Sequence, residues 1–126
     1  MTFQTITSKT SAPPVGPYSP AVKLDQLLFI SGQIPLLANG ELVTDDFEAE
    51  TRQVLENIKA LLNEAELDFS NIVKISIFTT DLSQFDLINK IYSEYVSEPF
   101  PARAAVEVAA LPKGARIEME AIAYVK

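Results

Sequence analysis

The spacing of apolar residues along this chain switches between short continuous runs, period-two alternation and helical stripes. Residues 27–35, LLFISGQIP, read as a buried strand interrupted by Gly32 and Pro35, and Asn39-Gly40 in the LANGELV that follows supplies a turn. From Thr44 to Glu66 the period becomes helical. Phe47, Val54, Leu55, Ile58, Leu61, Leu62 and Ala65 make one stripe, Thr44 or Asp45 can cap the start, and Asp46, Glu48 and Glu50 suit the positive end of the helix dipole. NIVKISIFTT (71–80) is a strand with Val73, Ile75 and Ile77 on one side and Lys74 and Ser76 on the other. A second helix begins at Asp81 or Ser83, with Ser83 and Asp86 at capping-box spacing. Its stripe is Phe85, Ile88, Tyr92 and Tyr95 with Leu87 and Ile91 beside it, and Pro99 and Pro101 end it. Two strands, 102–110 and 115–125, joined by LPKGA, close the chain. The segment 11–22, SAPPVGPYSPAV, holds four of the eight prolines and reads as an irregular lead-in or linker.

The resulting order, β-β-α-β-α-β-β, predicts an α+β layer fold in which two helices cover one face of a mixed sheet and leave the other open. In the first closing strand, Ala102, Ala104, Val106 and Val108 suit packing under helices, which turns Arg103, Ala105 and Glu107 the other way. In the last strand, Ile117, Met119, Ala121 and Ala123 make the apolar side, opposite Glu118 and Glu120. If these two strands pair as a hairpin, Arg103 lies across from residues 121–123, with Glu120 a near or diagonal neighbour on the open face. That arrangement has two readings. One is a solvated face with cross-strand ion pairs. The other is an anion site, where small neighbours such as Ala105 leave room for a carboxylate on the guanidinium fork and Glu120 orients a water. An open face carrying Ala105, Ala109, Ile122 and Tyr124 also predicts an oligomer.

Composition narrows the chemistry. At 126 residues, with 48% hydrophobic and 21% charged residues, the chain fits one globular domain, 1–126. It contains no cysteine and no histidine, which removes thiolate nucleophiles, Ser-His-Asp catalysis and most transition-metal sites. Neither a GxGxxG nor a Walker A pattern is present among its four glycines. A net charge of −7 argues against nucleic acid as a partner. No apolar run approaches the ~18 residues that span a bilayer. The first ten residues lack a basic-then-apolar signal, so a cytoplasmic location is expected. Any catalysis falls to carboxylates, arginine, tyrosine, lysine, backbone groups or water.

Four segments, GPYSPAV (16–22), SGQIP (31–35), FTTDL (78–82) and PARAAVEVAALPKGARIEMEAIA (101–123), occur in the order found in the RidA (YjgF) family of reactive-intermediate imine deaminases. The resemblance runs from about Ala12 to Val125. It implies a chorismate-mutase-like fold, a homotrimer whose sheets form a central β-barrel, and clefts between subunits. It further implies hydrolysis of 2-iminobutanoate and 2-iminopropanoate to 2-oxo acids and ammonia without metal or cofactor. The link to the pyridoxal-phosphate dehydratases that release such imines would be indirect. Carried over by position, Arg103 grips the substrate carboxylate, Glu120 positions the attacking water and Tyr18 lines the cleft. Asn89 borders the pocket, the backbone around Ile34 and Ala105 meets the nitrogen end or the water, and Gly32 allows close backbone approach. Glu107 and Glu118 are expected to be structural or intersubunit carboxylates.

Two departures stand out. Ala105 replaces a cysteine common in relatives, which removes any thiol-based regulation. Glu66 replaces a glycine after the first helix, so that end is expected to run longer or to be strained. The alternative reading is a non-catalytic trimeric sensor of small carboxylates such as 2-oxo acids. A ribonuclease reading is disfavoured by the lack of histidine and the negative charge.

Overall fold

In the computed structural model, residues 2–125 are described; Met1 and Lys126, the ends of the expected domain, lie outside the described residues. Eight elements follow in order: β1 (Gln4–Ile6), β2 (Ala21–Leu24), β3 (Leu27–Gln33), α1 (Phe47–Glu64), β4 (Ile72–Thr79), α2 (Phe85–Tyr95), β5 (Ala102–Glu107) and β6 (Ile117–Tyr124). One six-stranded sheet runs β1-β2-β3-β6-β4-β5, with β4 and β5 parallel and every other pair antiparallel. The mixed α+β class is as expected, with two strands added at the start. The proline-rich lead-in is not a linker: Ala21 and Val22 at its end enter β2, and β1 pairs with β2 ahead of it. LANGELV forms its turn, with Gly40 at φ +90, but the flanking residues make only the single bridge Leu36–Leu42.

The expected hairpin between the closing strands does not form. β5 follows α2 as the second strand of a βαβ unit, where a helical crossover is what allows parallel pairing. β6 instead inserts between β3 and β4, so β4 separates β5 from it. In β6, Ile117, Met119, Ala121 and Ala123 are buried beneath the helices, together with Leu28 and Ile30 of β3 and Ile75 and Ile77 of β4. Val73 was expected on that side, but a register shift between Ile72 and Lys74 buries Ile72 and leaves Val73 48% exposed.

The predicted stripe of α1 forms its buried face. Its cap is Asp46 rather than Thr44 or Asp45, and its carboxylate accepts from Ala49 N at 2.7 Å. At the second helix Ser83 makes no capping box. Its hydroxyl donates to Asp81, which caps a 3-10 turn, Leu82–Gln84, that leads into α2. Glu50, buried in the first turn of α1, accepts from the Arg116 guanidinium, which also lies 5.7 Å from the Phe47 ring centre. This pair ties α1 to the start of β6.

The end of α1 is strained, as one of the two expectations had it. Leu67 N donates to Leu62 O (2.8 Å) and Glu66 N to Asn63 O (2.9 Å), a Schellman ending with Glu66 at φ +62. The left-handed conformation costs an L-residue about 1–2 kcal/mol, part of which a glycine returns through its freer unfolded state. Glu66→Gly should therefore raise the unfolding free energy by about 0.5–1 kcal/mol in urea titrations. Glu66→Ala, which keeps the Cβ, should leave the midpoint unchanged.

Candidate active site

Strand alternation decides where Arg103 points. In the β4–β5 ladder Arg103 pairs with Ile75, Ala105 with Ile77 and Glu107 with Thr79, and all three partners are buried on the helix side. Arg103 and Ala105 therefore face α2, not the open face, and Ala105 packs against the core. Both parities of β5 carry alanines, so apolar alternation alone could not fix its orientation. The polar groups reach the margin of the helix layer instead: Glu107 accepts from Leu82 N at 2.9 Å.

Arg103 is held there by neutral partners. Its guanidinium carbon lies 5.4 Å from the Phe85 ring centre and 5.0 Å from that of Tyr92, and its Nη1 donates to Asn89 Oδ1 at 2.7 Å. Among the described residues no carboxylate forms a salt bridge with it. Ser93, Phe100 and Pro101 complete an open groove of ≈ 290 Å³ around these side chains. Most of the five-donor fork is left for an anion entering this groove.

The carboxylates occupy the other face. Glu118 and Glu120 pair with Phe78 and Ser76 on the side of the sheet away from the helices. Their environments differ. Glu120 is exposed and borders a groove with Phe29, Ser31, Lys74, Ser76 and Ile122. Glu118 is half-buried against Gly32, where a Cβ would stand 2.6 Å from its Oε2. The register shift between Ile30 and Gln33 is what turns Gly32 toward it. Burial, and then the charge of Glu120, push the Glu118 carboxyl above its ordinary value of 4.5.

The third group surrounds Gly32. Tyr18, 42% exposed, accepts at its hydroxyl from Val15 N (3.2 Å) and shares a small concavity with Pro13, Pro14, Gly32 and Ile34. Ser31 anchors the segment, donating from Oγ to Ser19 O at 2.6 Å and from N to Pro20 O at 2.9 Å. Behind it, fully buried Asn57 of α1 donates to Ile34 O (3.2 Å) and Leu36 O (2.9 Å) while accepting from Gln53 (3.0 Å). A buried amide with these partners fixes the path of the chain after β3.

Arg103 and Asn89 thus come together, as do Tyr18, Gly32 and Ile34. Arg103 and Glu120, expected as neighbours, lie on opposite faces with β4 between their strands. Glu118, expected to be a structural or intersubunit carboxylate, is the one that lies against Gly32. The sequence signal for this was a glycine near the end of an apolar strand, but only the register identifies what approaches it. Among the described residues no cluster of three or more acidic side chains, histidines or cysteines could hold a metal ion.

Comparison with known proteins places these features in context. The family model described as Endoribonuclease L-PSP matches residues 9–125. The human 2-iminobutanoate/2-iminopropanoate deaminase is 46% identical over 110 residues, 86% of this chain and 80% of that protein. The crystal structure of RidA from an Antarctic Psychrobacter superposes with a TM-score of 0.93 at 44% identity, covering 97% of this chain and 99% of that one. Escherichia coli TdcF, solved with bound serine, gives a TM-score of 0.91 at 37% identity, covering 98% and 99%.

The Glu118 environment has a measurable sign. Because folding raises this pKa, the associated stability is fully present below pH ~4.5 and lost as the pH rises through the raised value. Glu118→Gln should therefore gain stability relative to wild type between acidic and neutral pH, with no gain at low pH. Carboxyl ¹³C titration should find Glu118 above the ordinary range, and Glu120→Gln should bring it down.

Proposed function

The chain belongs to the RidA (YjgF) family, and on that premise we propose that it hydrolyses 2-iminobutanoate and 2-iminopropanoate to the corresponding 2-oxo acids and ammonia. The observation that carries this reading is Arg103, poised in an open groove on neutral partners with its fork available for a carboxylate. The substrate is a small 2-imino acid gripped through its carboxylate, and Asn89 helps to set the guanidinium that grips it. The deaminase name of the human relative supports that substrate class.

In the proposed reaction, water adds to C2 of the imine as a carboxylate takes its proton. The nitrogen, protonated in turn, leaves as ammonia when the carbinolamine collapses to the ketone. An iminium carbon is electrophilic enough to need no covalent nucleophile, so orientation and proton transfer supply the rate. The resemblance suggested Glu120 for this role, but the geometry favours Glu118. It is half-buried against Gly32, and its raised pKa suits a group that must accept a proton and return it. Tyr18 closes this end of the site, and the backbone at Ile34 lies beside it.

Because Arg103 and Glu118 face opposite sides of the sheet, the site using both is placed in this proposal between two copies. The open face carries the apolar surface for this, including Phe29 (39% exposed), Val106 (44%) and Tyr124 (42%). A homotrimer with a central β-barrel and clefts between subunits is the assembly we propose. A cytoplasmic location and an indirect link to pyridoxal-phosphate dehydratases complete the proposal; among the described residues no helix is long and apolar enough to cross a membrane.

With 2-iminobutanoate generated enzymatically and trapped by semicarbazide, wild type should suppress semicarbazone formation. Arg103→Ala should act mainly on KM, while Glu118→Gln should lower kcat by roughly 10²–10⁴-fold and Glu120→Gln by far less. A severe loss in Glu120→Gln with an active Glu118→Gln would return the role to Glu120. No suppression by wild type, with Arg103-dependent binding of 2-oxobutanoate, would make the protein a carboxylate sensor. Mixing unfolded Arg103→Ala and Glu118→Gln chains and refolding them together should restore activity at roughly a quarter of the sites, those pairing two intact halves. No restoration would place both groups in one copy's site.

A further inference from the structure

We propose that Phe85 and Tyr92 are positioning residues for the anion site, their ring faces holding the Arg103 guanidinium in one pose before a carboxylate arrives. The inference rests on the reading of Arg103 as the carboxylate grip and adds how that grip is kept ready. Arg103 is an exposed residue on an edge strand, with a long side chain free to take many rotamers and no carboxylate to hold it among the described residues. Three contacts restrain it, to Phe85, Asn89 and Tyr92. Their numbers, four and three apart, put them on one stripe of α2, so a single helix face cradles the guanidinium.

The chemical type of these partners is the second part of the argument. A carboxylate would hold an arginine more strongly, but it would occupy the fork and neutralise the charge that has to attract the ligand. Two ring quadrupoles and an amide oxygen restrain the cation while leaving its charge and most of its donors in place. A guanidinium already fixed loses less freedom on binding, so affinity rises without a new contact to the ligand. In Tyr92 it is the ring that serves: the hydroxyl is buried and has no hydrogen-bond partner among the described residues. Phe85 and Tyr92, read from sequence as part of the apolar stripe of this helix, thus have a second task at its solvent margin, where Phe85 is only half-buried.

Calorimetric titration with 2-oxobutanoate tests this on the full-length protein. Phe85→Leu and Tyr92→Leu should raise Kd by roughly three- to thirty-fold, with KM rising in parallel and kcat changing less. Tyr92→Phe, which keeps the ring, should rescue the affinity that Tyr92→Leu loses. NMR of the ligand-free protein gives an independent readout, since ring-current shifts of the Arg103 side-chain protons should collapse in either leucine variant. Wild-type Kd and unchanged Arg103 shifts in both leucine variants would overturn the inference, as would equal losses in Tyr92→Phe and Tyr92→Leu. Failure of wild type itself to bind 2-oxobutanoate through Arg103, with the ring-current shifts intact, would instead sink the carboxylate reading on which the inference stands.

Discussion

Period-two alternation along β6, in a strand flanked on both sides by neighbours, is the constraint on which this molecule depends. One parity, Ile117 to Ala123, is the floor on which α1 and α2 pack. The other parity must then carry Glu118, Glu120, Ile122 and Tyr124 to the opposite face. A one-residue slip would exchange the two sets, burying the carboxylates beneath the helices and exposing the core. The ion pair between exposed Arg116 and buried Glu50 helps to hold the register, because it fastens the start of this strand to the first turn of α1. Because Glu50 is buried, removing Arg116 would leave its carboxylate without its guanidinium partner.

Once β6 is fixed, the two halves of the candidate site are fixed on opposite sides of the sheet. β5, joined to β4 by the α2 crossover, directs Arg103 at α2, while β6 directs Glu118 at Gly32. The apolar open face and the divided site then point the same way. In the proposed assembly, surface that is costly to leave in water would be covered by the same association that completes the site. A carboxylate on that face, its pKa already raised by burial and by a like charge, would feel further burial strongly.

The supporting residues are drawn from the hydrophobic framework. Asn57 sits fully buried in the main stripe of α1, yet spends its amide on the carbonyls of Ile34 and Leu36, so a core helix sets the backbone beside Tyr18. Phe85 and Tyr92 do the same for Arg103 from α2. Glu66 shows the opposite economy, a left-handed residue with a side chain where glycine would be less strained.

Much of this was legible in the sequence. The helical stripes of α1 and α2, the burial of alternate residues in β6 and the turn at Asn39-Gly40 follow from local spacing, because the physics there acts over a few residues, and strain at Glu66 was one of the two outcomes its place after α1 offered. What only the tertiary structure decided was non-local. The insertion of β6 between β3 and β4 depends on sheet order, which no period encodes. The orientation of β5 was not fixed by its own sequence, because alanines occupy both of its faces; its parallel register on β4, with Arg103 beside Ile75, decided it. Glu118 and Glu120 are indistinguishable in IEME, sharing a strand and a parity. A register shift in β3 gives one of them a glycine to lie against and leaves the other in solvent, and a strand's own sequence does not carry the register of its neighbour.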